Sequence, residues 1–337
     1  MSMIIETQNL TKKFGDFVAN NNINLQVGKQ EIKCIVGENG AGKSTLMNML
    51  YGVFRPTSGK ILLNGEELVM NSPTDAIRHG IGMVHQHFKL VPSFTVYENI
   101  LLGSEITKKG LIDRRKEIEK VKELIEQYHF QIDPMARIQD ISVGLCQQVE
   151  ILKMLYRNVD ILILDEPTAV LTPQEVDQLM ENLKVLRDQG KTIIVITHKL
   201  REVMYLSDSV TVIKSGQVIG NVKTQDTSET ELAQMMVGRD VVLTVKNEDG
   251  PAPNEEEAYR VENICTVNDA NQEILHNVSL SVRKGEVLGI AGVEGNGQSE
   301  LIKVLTGVMT VTKGRVVLNN KDITNAWPDK LRRFGIG

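Results

Sequence analysis

Nine consecutive residues, Gly37-Glu38-Asn39-Gly40-Ala41-Gly42-Lys43-Ser44-Thr45, place three glycines ahead of a lysine and two hydroxyls. The spacing is GxxxxGK[ST], the pattern of a loop that wraps a polyphosphate. Glycines let backbone N–H groups turn inward and approach the phosphates closely, and a helix beginning there adds partial positive charge. Lys43 supplies an ammonium for the β- and γ-phosphates, and Ser44 supplies a hydroxyl for Mg²⁺. A second group is the run Ile161-Leu162-Ile163-Leu164, which ends in Asp165 and Glu166. Apolar residues closing on two acids put both carboxylates at the C-terminal edge of a buried strand, the ligand edge of an α/β sheet. Asp165 suits the Mg²⁺ shell, since magnesium prefers carboxylate and water oxygens. Glu166 is then free to polarise an attacking water. A third group, Ile141-Ser142-Val143-Gly144-Leu145, precedes a helical pattern. By residue type alone Ser142 is a helix cap, although a Ser and a Gly at a helix start also suit phosphate oxygens. His85 and His87 share H-x-H spacing, but no third ligand stands near them, and a metal site is not expected there.

The elements that must hold these groups alternate between two periods. Ile32–Val36, Ile161–Leu164 and Thr192–Ile196 are short apolar runs, predicted as strands buried on both faces. Lys43–Tyr51 is predicted as a helix, and Pro173–Asp188 as another, with Val176, Leu179, Leu183 and Leu186 on one face. The βαβ rhythm implies an α/β fold with a parallel or mixed sheet. From about residue 88 to 158 no strong strand is expected. Val96–Leu102, Arg114–Tyr128 and Gln147–Leu155 all have helical spacing, and this stretch reads as an inserted helical subdomain. Residues 241–258 are expected to be a linker between a first domain (1–240) and a second (259–337), because their run "KNEDGPAPNEEE" is polar, acidic and rich in breakers.

After the linker the chain repeats itself. Asn22 recurs as Asn277, Glu31 as Glu286, Gly37 as Gly292, Gly52 as Gly307, Pro73 as Pro328 and Gly82 as Gly337, always 255 positions apart. A constant, gapless offset marks a duplicated domain. The second copy stops where the first has used 82 residues, so the sequence is expected to be a fragment or a truncated product. In the second copy Gly292, Gly295, Gly297 and Ser299 keep the loop, but Gln298 stands for the lysine and Glu300 for the final threonine. Loss of the ammonium and gain of an acid predict weak or unproductive nucleotide use there.

Composition narrows the classes. Charged residues make up 24% and hydrophobic residues 41%, ordinary values for a globular chain. A net charge of −5 disfavours general nucleic-acid binding. No apolar run approaches the ~20 residues of a membrane span. The N-terminus lacks a signal-peptide pattern. Three cysteines far apart, Cys34, Cys146 and Cys265, fit a reducing compartment.

Together the three motifs resemble the ATPase subunits of ABC transporters, over residues 3–240 and again after the linker. The resemblance implies a P-loop ATPase core of the ABC type, with the inserted helical subdomain and a partial, degenerate second copy. It implies ATP and Mg²⁺ as cofactors, and Lys43, Glu166 and His198 as catalytic groups. Phe14 in "KKFGDF" matches the aromatic that stacks on adenine. Gln86 in "GMVHQHF" matches the glutamine that senses Mg²⁺. His198 in "VITHKL" matches the histidine at the γ-phosphate. ISVGL takes the place of the signature LSGGQ, so Ser142, Val143 and Gly144 would complete an ATP site in trans, and Thr172 stands where an aspartate is usual. Two ATPase domains with the second damaged resemble bacterial importers of simple sugars and nucleosides, with "IGMVHQHFKLVPSFTVYENILLG" closest to the nucleoside branch. The resemblance then implies membrane permease partners, a substrate-binding lipoprotein acting indirectly, and a peripheral place on the cytoplasmic face of the membrane. It further implies a second ATPase half or self-association, and no nucleic acid. The 337-residue chain alone is expected to bind ATP but hydrolyse it poorly as a monomer. The competing readings are a nucleotide-binding remnant and a soluble tandem protein acting on ribosomes or DNA; the damaged second loop and the short, broken linker speak against the latter.

Overall fold

Every run expected to be a buried strand lies in one six-stranded sheet. Its order is β13 (Gln217–Lys223), β12 (Ser209–Lys214), β4 (Ile32–Val36), β11 (Thr192–Ile196), β10 (Ile161–Asp165) and β7 (Ile81–Val84). The five strands from β12 to β7 are mutually parallel, and β13 joins antiparallel. Every residue of β4 and β11 is buried, which is why these strands read as largely apolar runs and not as alternation; the exception within β4, Lys33, is 5% exposed and its Nζ donates to the Ser209 hydroxyl at 2.8 Å. The computed structural model describes residues 2–86, 88–108, 110–238, 256–268, 272–292 and 296–337. It divides into two compact units, Met1–Leu243 and Thr244–Gly337.

Successive residues of β4 feed opposite layers. Cys34 and Val36 join a core shared with helices α3 (Val96–Leu101), α4 (Arg114–Gln127), α5 (Val143–Tyr156) and α6 (Pro173–Asp188). Ile35 joins a core with α1 (Lys43–Leu50), α2 (Pro73–Arg78) and a second, antiparallel sheet. That sheet runs β2 (Phe17–Ile23), β1 (Met3–Phe14), β5 (Ser58–Leu63), β6 (Glu66–Glu67), with β3 (Gln26–Gly28) also on β1. Among the described residues the inserted stretch carries helices, a small hairpin, β8 (Thr107–Lys108) with β9 (Leu111–Ile112), and a single antiparallel bridge between Thr95 and Arg137. Two-residue strands are too short to leave a periodic signal. Helices α7 (Leu200–Leu206) and α8 (Glu229–Val237) complete the first unit.

The second unit has its own core of Val261, Ile264, Leu275, Leu301, Val304, Val316 and Leu331. Its sheet, β15 (Glu273–Arg283), β14 (Glu257–Val267), β16 (Lys313–Leu318), β17 (Lys321–Asp322), with α9 (Gln298–Leu305) and α10 (Pro328–Arg333), repeats the antiparallel lobe of the first. Left-handed residues recur at the same offset, as in Gly42 and Gly297, Gly52 and Gly307, Asn22 and Asn277, and Asn64 and Asn319. Most of the expected linker, residues 241–255, lies outside the described residues.

Candidate nucleotide-binding site

β4 delivers Gly37 to the top of the parallel sheet, where a Cβ would run into the Ile213 carbonyl and the Ala41 side chain. Close backbone packing therefore dictates glycine there. Gly42 caps α1 with φ 100°, a left-handed conformation that costs other residues roughly 1–2 kcal/mol. Its missing Cβ leaves room for the Ala19 carbonyl, and the Asn20 amide donates to the Gly42 carbonyl at 3.1 Å. Around Gly40, at φ +79°, no heavy atom lies within 4 Å of where a Cβ would be, so the space over the turn is open. Lys43 is 6% exposed, and its Nζ donates to the carbonyls of Gly37 (2.8 Å) and Glu38 (2.9 Å). Burial pulls the Lys43 ammonium below its ordinary pKa, and Glu166 and then Asp165 push it back up. Glu38, Asn39 and Ser44 are exposed at the loop and Thr45 is half-buried behind it.

Asp165 ends β10 opposite Ile196 of β11. Burial raises its pKa; a hydrogen bond from the Ser44 hydroxyl lowers it, Glu166 raises it further, and Lys43 lowers it. The next residue, Glu166, has φ 46°. A non-glycine residue there is strained by about 1–3 kcal/mol. The strain is held by the Glu166 N–H on the Ile196 carbonyl at 3.0 Å and the Ala169 N–H on the Glu166 carbonyl at 3.2 Å. The kink turns the carboxylate out of the strand line, where two neighbours meet it. Gln86, just past β7, donates Nε2 to its Oε2 at 3.3 Å, and His198, just past β11, places Nδ1 3.2 Å from its Oε1. β7, β10 and β11 are adjacent, so their C-terminal ends converge on one carboxylate.

The donor set fits a magnesium triphosphate. The Ser44 hydroxyl and the Asp165 carboxylate are neighbouring hard oxygens, with the Lys43 ammonium and the Glu166 carboxylate beside them. Among the described residues no three His, Cys, Asp or Glu side chains form a metal cage. Mg²⁺ is commonly held by one or two protein oxygens together with phosphate oxygens. His87 lies outside the described residues.

The remaining positions lie around this centre. Phe14 ends β1 opposite Phe17, is 44% exposed, and meets Phe54 edge-to-face at 5.4 Å with Lys12 Nζ 5.1 Å from its ring. Ser142 caps α5 and accepts from the Leu145 N–H at 3.3 Å. Its hydroxyl and the Gly144 N–H donate not to the 37–45 loop but to Glu175 Oε1, at 2.9 and 3.2 Å, while Val143 is exposed. In the second unit Gln298 turns its amide back onto Gly292, where a Cβ would stand, and Gly297 caps α9 at φ 90° ahead of Ser299. Gly295 lies outside the described residues.

Three residues not singled out from the sequence support the site. Asn20 ties β2 to the loop. Glu150, 5% exposed on α5, accepts from the Lys89 N–H at 2.7 Å in the loop after Gln86. Glu175 joins the start of α5 to the start of α6. Only Glu175 had a readable signal, the T-x-x-E capping box of Thr172 to Glu175.

Comparison with known proteins gives the family. The ABC transporter family matches residues 20–169 and 275–336. The nucleoside import ATP-binding protein NupA of Lactococcus lactis is 47% identical over 99% of this chain and 66% of its own length. The guanosine import ATP-binding protein NupO of Bacillus subtilis is 50% identical over 100% of this chain and 66% of its own length. The chain thus spans about two thirds of the length of these relatives. Among solved structures, the ADP conformation of MJ1267, an ATP-binding cassette of an ABC transporter, aligns with a TM-score of 0.62 at 26% identity, over 70% of this chain and 96% of that one. The glycine loop, the acids at the strand edge and these matches lead to one conclusion: the chain belongs to the ABC transporter family.

Proposed function

We propose that the chain is the ATP-binding and ATP-hydrolysing part of an import system for nucleosides or simple sugars, working on the cytoplasmic face of the membrane beside permease subunits. Among the described residues no helix is long and apolar enough to cross a bilayer, so membrane contact in this reading comes from partners. The observation that carries the proposal is the convergence of Lys43, Ser44, Asp165 and Glu166 at one sheet edge, with Gln86 and His198 on Glu166. The likeness to nucleoside and guanosine import proteins over nearly the whole chain supports the substrate class.

In this reading the backbone N–H groups of Gly40 to Ser44 and the Lys43 ammonium bind the phosphates. Phe14, exposed on the adjoining hairpin, stacks on adenine. Ser44 and Asp165 would hold Mg²⁺, with Gln86 placed to sense it, and the ion when bound would supply charge neutralisation on the phosphate oxygens. Glu166 orients and deprotonates the attacking water, and Gln86 and His198 hold its carboxylate in place. Phosphoryl transfer needs little beyond positioning and charge. Ser142, Val143 and Gly144 complete the site of a second ATPase half or of another copy of this chain. The second loop, with Gln298 and Glu300, binds nucleotide weakly or unproductively. Cells lacking the gene are expected to lose uptake of a labelled nucleoside, restored by the wild-type gene and not by Glu166→Gln. Unchanged nucleoside and sugar uptake in the deletion strain would refute the proposal.

A further inference from the structure

Glu175 holds the two helix starts that face outward at the signature. Its Oε1 takes the Ser142 hydroxyl at 2.9 Å and the Gly144 N–H at 3.2 Å. Its Oε2 takes the Thr172 N–H at 3.0 Å and the Thr172 hydroxyl at 3.1 Å. A Cβ on Gly144 would stand 2.5 Å from Oε1, so only glycine lets the carboxylate come this close. Residue 172 matters as well. A threonine there donates to Glu175, whereas a second carboxylate would repel it. The Ser142 hydroxyl proton and the Gly144 N–H are the two donors that the trans reading assigns to an incoming phosphate. Both are already committed to an anion supplied by the chain itself. Burial works against the ionised form of Glu175, yet bonds from Thr172, Ser142 and Gly144 hold its carboxyl below the ordinary pKa.

We propose that Glu175 is a tethered carboxylate occupying the anion-recognition position of the signature, so that a nucleotide-loaded partner must displace it to dock. The inference rests on the proposed function, in which Ser142 and Gly144 meet the nucleotide of another half. A phosphate oxygen approaching these donors finds them occupied and meets a like charge. Release need not unfold anything: the Oε2 bonds keep α6 capped while Oε1 lets go of the signature. The contact therefore sets a threshold against closure with an empty or wrongly loaded partner.

The test uses the full chain carrying Glu166→Gln, to keep ATP intact, with and without Glu175→Gln. A glutamine keeps one acceptor oxygen, enough for the capping box on Thr172, but turns a neutral NH2, itself a donor, toward the Ser142 hydroxyl and the Gly144 N–H, so both the charge and the acceptor at the Oε1 position are lost. Association in Mg-ATP is read by sedimentation, ATP affinity in dilute protein by calorimetry, and folding by thermal melting. Glu175→Gln is expected to tighten ATP-dependent association about tenfold, which corresponds to the loss of one charged hydrogen-bond contribution, with ATP affinity unchanged and a cooperative melting transition that is retained at a somewhat lower temperature. Equal or weaker association in Glu175→Gln, lost in both proteins on adding Ser142→Arg, would overturn this inference alone. Association that survives Ser142→Arg, or none in either protein, would overturn the trans reading and this inference with it.

Discussion

At the first residue of their helices, Lys43 in one copy has Gln298 as its counterpart in the other. Both helices span eight residues, Lys43–Leu50 and Gln298–Leu305, and both are capped by a left-handed glycine, φ 100° and φ 90°. The stretch before the loop differs more than the helix and its cap do. Ile32–Val36 is fully buried between β11 and β12. The matching stretch after Gly285 forms no strand, and Val287 is 96% exposed, with Leu288 and Ile290 also exposed. A turn and a cap are local and form from their own residues. A central strand is made by neighbours distant in sequence.

That contrast can be broken or sharpened by paired substitutions. The largest effect belongs to chemistry: Glu166→Gln is expected to slow ATP hydrolysis by about 10²- to 10⁴-fold with ATP still bound, whereas Glu300→Gln, at the second loop, leaves the rate within about twofold. Steady-state phosphate release reads both. Next is the core. Ile35→Ala, fully buried, should cost about 2–5 kcal/mol in urea unfolding. Ile290→Ala, 48% exposed at the equivalent position, should stay within about 0.5 kcal/mol. Similar costs at both positions would mean that the second strand is packed after all. Third, Gly42→Ala and Gly297→Ala share the left-handed penalty of roughly 1–2 kcal/mol, but Gly42 also faces the rigid Ala19 carbonyl at 2.5 Å, against the movable Leu275 side chain at 3.0 Å for Gly297. The Gly42 variant should be the less stable of the two by thermal melting. The smallest effect is electrostatic. Because burial raises the pKa of Asp165, the folded state favours its neutral form. Its ionisation penalty is absent at pH below the unfolded value, near 3.9, and complete once pH passes the folded value. Asp165→Asn should therefore melt higher than wild type at pH 7 without nucleotide, and lose that advantage in acid. A variant that melts lower at pH 7 would contradict the assigned cause.

The parallel sheet was legible because strands buried on both faces are continuous apolar runs; Thr192–Ile196 and Pro173–Asp188 fall where the periods place them. The β8–β9 hairpin was not, since two residues carry no period. At the site, glycine spacing and paired acids announce themselves. The left-handed Glu166 and the supporting roles of Asn20 and Glu150 do not, because each depends on a partner at least 22 residues away in sequence, 30 in the case of Glu166 and Ile196. Glu175 was half legible: its cap on Thr172 is local, and its hold on Ser142 crosses 33 residues.

Titrating Mg-ATP into the full chain in a calorimeter tests most directly that the first loop alone holds the triphosphate. One ATP per chain is expected, with affinity falling about 10- to 100-fold in Lys43→Ala, the loss of a charged hydrogen-bonding group, and unchanged in Gln298→Ala. Full affinity in Lys43→Ala together with its loss in Gln298→Ala would contradict the account.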